Sequence, residues 1–176
     1  MTLSTANKNS YQKRRATFRE YATTMCAPQR AAATGVGSLY MFGDNDYTAW
    51  DALFSTYARP TQYYSKHATL SFGVGGSGSG VPFHTHGPVF AEVLYGAKRW
   101  FLKAPGPEPA FDPDGSSLRW LLDVYPGYAA REFRDPGDPA PILECVVRRG
   151  EFLYIPGWWH HATLNIGQTV FMSVFV

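Results

Sequence analysis

Apolar and aromatic residues along most of this chain come in short runs, each stopped by glycine, proline or a small polar residue. From residue 68 the runs read as strands: Thr69 to Val74, Val81 to His86, Phe90 to Tyr95, Lys98 to Lys103, Leu143 to Val147, Glu151 to Ile155, Trp159 to Asn165 and Thr169 to Phe175. A glycine-serine turn spans Gly75 to Gly80, and Tyr40 to Phe42 forms an earlier short strand, stopped by Gly43-Asp44-Asn45-Asp46. Helical spacing is confined to three places. Tyr11, Phe18, Tyr21 and Met25 predict a helix within Asn9 to Met25, and Trp50, Leu53, Phe54 and Tyr57 predict an amphipathic one. Ser116-Ser117 caps a third through Leu118, Trp120, Leu121, Leu122 and Val124, which Pro126-Gly127 ends. Asp135 to Pro141 reads as a loop. Eight or nine strands, short connections and no βαβ alternation predict an all-β antiparallel sandwich or barrel with minor helices.

Composition agrees with this picture. The 176 residues fit one domain and one core, and 17 Gly and 13 Pro beside 11 Tyr, 12 Phe and 5 Trp suit short strands joined by many turns. The net charge of +2 conceals an asymmetry, since residues 1 to 30 hold six basic side chains (Lys8, Lys13, Arg14, Arg15, Arg19, Arg30) against Glu20 alone. We therefore divide the chain into a basic arm or helix over residues 1–37 and a domain over 38–176. A basic arm can meet nucleic acid or a membrane surface, but a solvated helix or tail explains it as well, and the barrel carries no nucleic-acid footprint. Cys26 and Cys145 are too few for a disulfide framework and lack thiolate metal spacing. No run of 18 apolar residues predicts a membrane span, and no secretory signal is visible in the first 25 residues.

The chemistry lies in the histidines. Four of the five fall in two groups, His84-Thr85-His86 and His160-His161, while His67 stands alone and receives no role. Side chains alternate along a strand, so His84 and His86 share a face at about 7 Å spacing and can grip one ion. A third imidazole from a distant strand completes a facial set with open positions, and the pair at 160–161 offers it. Lys98 and Arg99 adjoin on a strand and so face opposite ways; a cation turned into the barrel would require an anion, while two charges on the rim explain the pair as well.

Gly78 with His84-Thr85-His86 resembles the first half of the first cupin motif, and Gly150, Pro156, His161 and Asn165 resemble the second, with Trp158 where a glycine is usual. Gly96-Ala97-Lys98-Arg99-Trp100-Phe101-Leu102 and Trp158-Trp159-His160-His161 resemble the JmjC hydroxylases. The resemblance covers about residues 38 to 175 and implies a double-stranded β-helix, the jelly roll of the cupin/JmjC type. It implies His84, His86 and His161 as the catalytic ligands of Fe(II) or another divalent transition metal, with His160 at a tryptophan position of relatives. It further implies 2-oxoglutarate as co-substrate, with Lys98 on its distal carboxylate, Ser173 supporting that carboxylate and Asn165 orienting the site. The endoplasmic reticulum lumen is the implied compartment if residues precede this sequence.

One departure stands out. Most JmjC hydroxylases place a carboxylate two residues after the first histidine, where this chain has His86. A neutral nitrogen raises the net charge of the iron site and alters its redox behaviour. Glu92 is a candidate fourth ligand. Three functions follow: an Fe(II)- and 2-oxoglutarate-dependent oxygenase acting on a protein or small-molecule substrate, a non-catalytic or chaperone-like binding module, and a cupin metalloenzyme that does not use 2-oxoglutarate. The sequence specifies neither the substrate nor the oligomeric state.

Overall fold

A computed structural model describes residues 1–5, 12–29, 38–43, 45–60, 63, 67–130 and 141–176. The expected loop at 135–140, the first residues of the expected N-terminal helix and Asp44 of the turn lie outside them. Two antiparallel sheets carry the fold. The smaller orders its strands β2-β1-β3, from β1 (Thr2–Thr5), β2 (Lys13–Arg15) and β3 (Leu39–Tyr40). The larger is built on β5 (Val89–Lys103) and β8 (His160–Phe175), in the order β4-β8-β5-β6, with β4 (Thr69–Gly75), β6 (Leu143–Arg148) and β7 (Phe152–Ile155), the last pairing beside β6 on β5. Together they form the jelly roll.

The expected pairs Phe90–Tyr95/Lys98–Lys103 and Trp159–Asn165/Thr169–Phe175 are each one long strand. Glycine accounts for the difference. Gly96 and Gly167, the apparent strand breaks, adopt φ of +78° and +71° inside β5 and β8, where the register between them shifts. A Cβ on Gly96 would stand 2.2 Å from the Gln168 carbonyl oxygen, so only glycine lets the strands crease without separating. Conversely, Val81 to His86 forms no regular strand and is bridged to β8 only at His84. Pro82 lacks an amide proton for the ladder.

Helices cover the outer faces. α2 (Asp51–Thr56) lies within the expected helix, and its Phe54 joins Leu70, Phe72, Met172, Leu3 and Tyr21 in one core. α3 (Ser117–Asp123) is capped by Ser116, whose hydroxyl accepts from the Arg119 amide. Pro126 does not end the helical run but opens α4 (Tyr125–Ala129), because proline at a first turn gives up no needed donor. Among its described residues the N-terminal segment is helical only from α1 (Phe18–Glu20) through a π-turn, Tyr21–Met25. The Lys13-Arg14-Arg15 run has no apolar stripe to bury and pairs with β1 as a strand instead. Strand parity then separates the large sheet's surfaces. Trp100, Leu102, Val89, Ala91 and Val93 lie on one face, whereas Phe101 and Ala162 pack under Trp120 on the other.

Candidate metal centre

His84 and His161 are fixed by backbone before side chains matter. They form an antiparallel pair exchanging both main-chain hydrogen bonds, His84 N to His161 O at 3.1 Å and His161 N to His84 O at 3.0 Å. The Trp158 amide donates to the His86 carbonyl at 2.8 Å and holds the third member. The rings converge, with centroids 4.1 Å apart for His84–His161, 4.5 Å for His86–His161 and 5.4 Å for His84–His86. One ligand atom from each lies within 4.8 Å of the others.

The second nitrogen of each ring orients it. Nδ1 of His84, His86 and His161 faces the carbonyls of Pro82 (2.8 Å), Gly87 (2.7 Å) and Trp159 (2.9 Å). A carbonyl accepts only, so each Nδ1 carries the proton and each Nε2 presents its lone pair. Nε2 of His161 and of His86 stand 3.0 Å apart. Two lone pairs at that separation call for a cation or proton between them, and a divalent metal held by three Nε2 atoms meets the requirement. Burial, then the charges His84 and His86 would carry, push the His161 imidazolium down to about 2, so this ring stays neutral and ligating at physiological pH.

The histidines share a cavity of about 270 Å³ with Lys98, Trp100, Phe171 and Ser173. Lys98 points inward and is 2% exposed, while Arg99 turns outward to Glu144 at 2.6 Å. Nζ of Lys98 donates to Asn165 Oδ1 at 3.1 Å and lies 3.6 Å from the Phe171 ring centroid. No carboxylate pairs with it among the described residues, and burial lowers its pKa from 10.5 to about 7. Asn165 is locked in turn by Ser79 Oγ, which accepts from Nδ2 at 3.0 Å. The Trp100 indole bridges the two ends, 5.9 Å from Nζ and 6.1 Å from the His161 ring. Its Nε1 is buried without a hydrogen-bond partner.

The remaining candidates fall elsewhere. His160 turns to the opposite face, where Nε2 meets the Gly106 carbonyl at 2.9 Å. Glu92 is no fourth ligand: strand parity puts it with Phe90 on the outer face of β5, and its carboxylate accepts from the Tyr57 hydroxyl at 2.6 Å. Sequence reasoning missed Ser4, Lys13 and Tyr40 on the cavity wall. No local signal marks them, because their placement depends on how β1 pairs with β2 and β3.

No family model matches the chain. JmjC domain-containing protein 8 of Mus musculus is 47% identical over 175 residues, 99% of this chain and 62% of the relative. The chain belongs to the JmjC family. It spans less than two-thirds of the length of this relative. A more distant JmjC protein, the 2-oxoglutarate and iron-dependent oxygenase JMJD4 of Gallus gallus, is 31% identical over 111 residues, 55% of this chain and 24% of that one. Among solved structures, E. coli ycfD superposes with a TM-score of 0.57 at 18% identity over 98% of this chain and 40% of that one, which supports the fold. The chain is thus a JmjC-type protein whose three-histidine cluster is built to bind metal.

Proposed function

We propose that this protein is an Fe(II)- and 2-oxoglutarate-dependent oxygenase acting on a protein or small-molecule substrate. One observation carries the reading: a buried lysine with no carboxylate partner among the described residues shares a small cavity with three converging imidazoles. A buried ammonium is costly until it meets an anion, and a dicarboxylate reaching from the histidines toward Lys98 provides one. The unpartnered Trp100 indole N–H adds a donor in the same wall. His84, His86 and His161 would hold the ion, and Lys98, steadied by Asn165 and with Ser173 nearby, would hold the distal carboxylate. Bound iron would supply open coordination positions for the co-substrate and oxygen. The JMJD4 name, 2-oxoglutarate and iron-dependent oxygenase, points the same way.

The test is succinate formation. Purified protein supplied with Fe(II), ascorbate and 2-oxoglutarate should release succinate slowly without substrate, and Lys98→Met should suppress it. A second reading is favoured by the all-nitrogen ligand set and the outward Glu92: the site holds a metal without 2-oxoglutarate turnover, as a cupin metalloenzyme of another kind or a binding module. Metal binding with neither 2-oxoglutarate affinity nor succinate release would select it.

A further inference from the structure

We propose that the metal end of the cavity receives an uncharged apolar side chain of a polypeptide substrate, packed against His86, Val89 and Phe175, with Trp158 as a platform for the chain outside. The inference names the substrate class of the site proposed above and rests on that reading for the co-substrate. Its first ground is location. His161 is buried while His84 and His86 are half-buried, so the metal site opens on the side of the latter two. Tyr40, Phe42 and Phe171 make successive ring contacts, and Lys98 lies over the last of them, so the small sheet closes the Lys98 end. What remains beside the open histidines is apolar. Val89 and Phe175 are registered partners on β5 and β8, both line the cavity, and the Phe175 ring meets His86 edge to face with centroids 5.2 Å apart.

Charge and hydrogen bonding exclude the other classes of side chain. Among the described residues lining the cavity none is acidic, so no carboxylate is there to receive an ammonium or a guanidinium. A divalent metal on three neutral imidazoles, with a dianionic co-substrate on Lys98, leaves the loaded cavity net positive and repels a cation further. The same field favours an anion, but a buried anion also needs donors. Val89 and Phe175 carry no polar side-chain atom, and the ring N–H groups of His84 and His86 face the Pro82 and Gly87 carbonyls. A volume of about 270 Å³ lies below the usual range for drug-sized ligands, so beyond the co-substrate there is room for one compact side chain.

Trp158 extends the contact past the mouth. Its amide donates to the His86 carbonyl at 2.8 Å, and a Cβ on Gly157 would stand 3.3 Å from Pro88 Cδ, so this turn lies against the corner that follows His86. No large apolar side chain among the described residues is more exposed, and its φ of 67° belongs to the left-handed region that a β-carbon disfavours. A side chain both strained and unburied adds nothing to folding, which points to a contact made with another molecule. Tryptophan suits that task, being large, rigid and frequent among the residues that dominate binding. An indole outside the cavity reaches only a ligand longer than the cavity, hence a polypeptide rather than a small molecule.

Two calorimetric titrations of the Mn(II)-loaded protein test this. The first adds 2-oxoglutarate. The second adds capped pentapeptides, with a central leucine, lysine or glutamate flanked by alanines, with and without 2-oxoglutarate. The leucine peptide should bind at least about fivefold more tightly than either charged peptide, and by the same margin more tightly than N-acetylleucine amide. Phe175→Ser should remove the preference for leucine and Phe175→Leu should keep it. Trp158→Gly should remove the advantage of the pentapeptide over the single residue, Trp158→Phe should retain it, and both should keep Mn(II) and 2-oxoglutarate affinity within about threefold. Equal binding of the three peptides, or a preference for lysine or glutamate, overturns the proposal. So does N-acetylleucine amide binding the wild type as tightly as the pentapeptide, or an undiminished pentapeptide advantage in Trp158→Gly. If 2-oxoglutarate fails to bind while the leucine preference persists, the co-substrate reading falls and the apolar substrate site stands.

Discussion

Lys98 offers a thermodynamic experiment independent of turnover. In the folded protein burial holds its pKa near 7 against an ordinary 10.5, so between those values the unfolded chain carries one more proton than the native one. Stability must therefore rise with pH across that window, and the penalty of the charged amine is fully present below pH 7. The limiting slope is about 1.4 kcal/mol per pH unit. Because the native amine is half protonated at pH 7, the gain from pH 7 to pH 9 comes to about 2 kcal/mol. Lys98→Met removes this titration alone, while the other ionisable groups appear in both proteins and cancel. Its absolute effect at a single pH is small, because relief from burying the charge is opposed by loss of the Asn165 hydrogen bond and the Phe171 contact.

The measurement is urea denaturation of wild type and Lys98→Met at pH 7, 8 and 9. The wild type should gain about 2 kcal/mol relative to the variant over that range, or about 4–8 °C in melting temperature. Saturating 2-oxoglutarate with Mn(II) should abolish the difference in slope, since a carboxylate beside the amine returns its pKa toward the ordinary value. Parallel pH profiles of the two free proteins would refute the reasoning, because Lys98 would then be solvated or already paired. A slope that persists under saturating co-substrate would show that the dicarboxylate binds elsewhere.

Three further outcomes are expected. His161→Ala should lose Mn(II) binding and the thermal stabilisation it brings, whereas His160→Ala, which removes a ring bonded to the Gly106 carbonyl, should keep the metal affinity within about tenfold by calorimetry. Trp158 is 68% exposed at φ 67°, so Trp158→Gly should raise unfolding stability by up to about 1 kcal/mol while Trp158→Ala, which keeps the strain, should not. Gly96→Ala should lower stability by at least about 2 kcal/mol in the same denaturation assay, because its Cβ would stand against the Gln168 carbonyl.

What the sequence disclosed and what it withheld divide along a physical line. Parity within one strand is local, so alternation showed that Lys98 and Arg99, and His160 and His161, face opposite ways, while the choice of Lys98 and His161 as the inward members came from the resemblance to JmjC hydroxylases. His84 and His86 converge although their segment forms no regular strand. Glycine was misread as punctuation, because in the sequence a crease and a turn look alike. Gly96 is distinguished only by the opposite strand, whose Gln168 carbonyl closes on the site of a Cβ, and Gly167 only by its positive φ. Pro126 was misread for a related reason, since a helix stop and a first-turn proline differ only in the backbone before them. The placement of Ser4, Lys13 and Tyr40 on the cavity wall was invisible because it depends on the register of β1 against β2 and β3.

The creased strands also explain why metal ligands and the buried lysine occur in one cavity. His161 and Asn165 stand four residues apart on β8, in register with Leu102 and Lys98 of β5, so all four alternate onto the same face. At about 3.3 Å per residue the two ends lie about 13 Å apart along the backbone, a gap the long lysine side chain shortens. The irregular segment 78–86 then runs beside the same strand, with its amides and carbonyls bonded at Asn165, Thr163 and His161. One segment of β8 therefore sets the position of the His84 pair, of His161 and, through Asn165, of the Lys98 amine. A substitution that slipped β5 by one residue against β8 would turn Lys98 to the face opposite His161 and Asn165 and part the amine from the histidines. The buried Lys98 titration should consequently be lost, and metal binding kept, in Gly96 variants whose β5 slips but that remain folded, whereas disturbance of α3 or α4 on the opposite face should spare both.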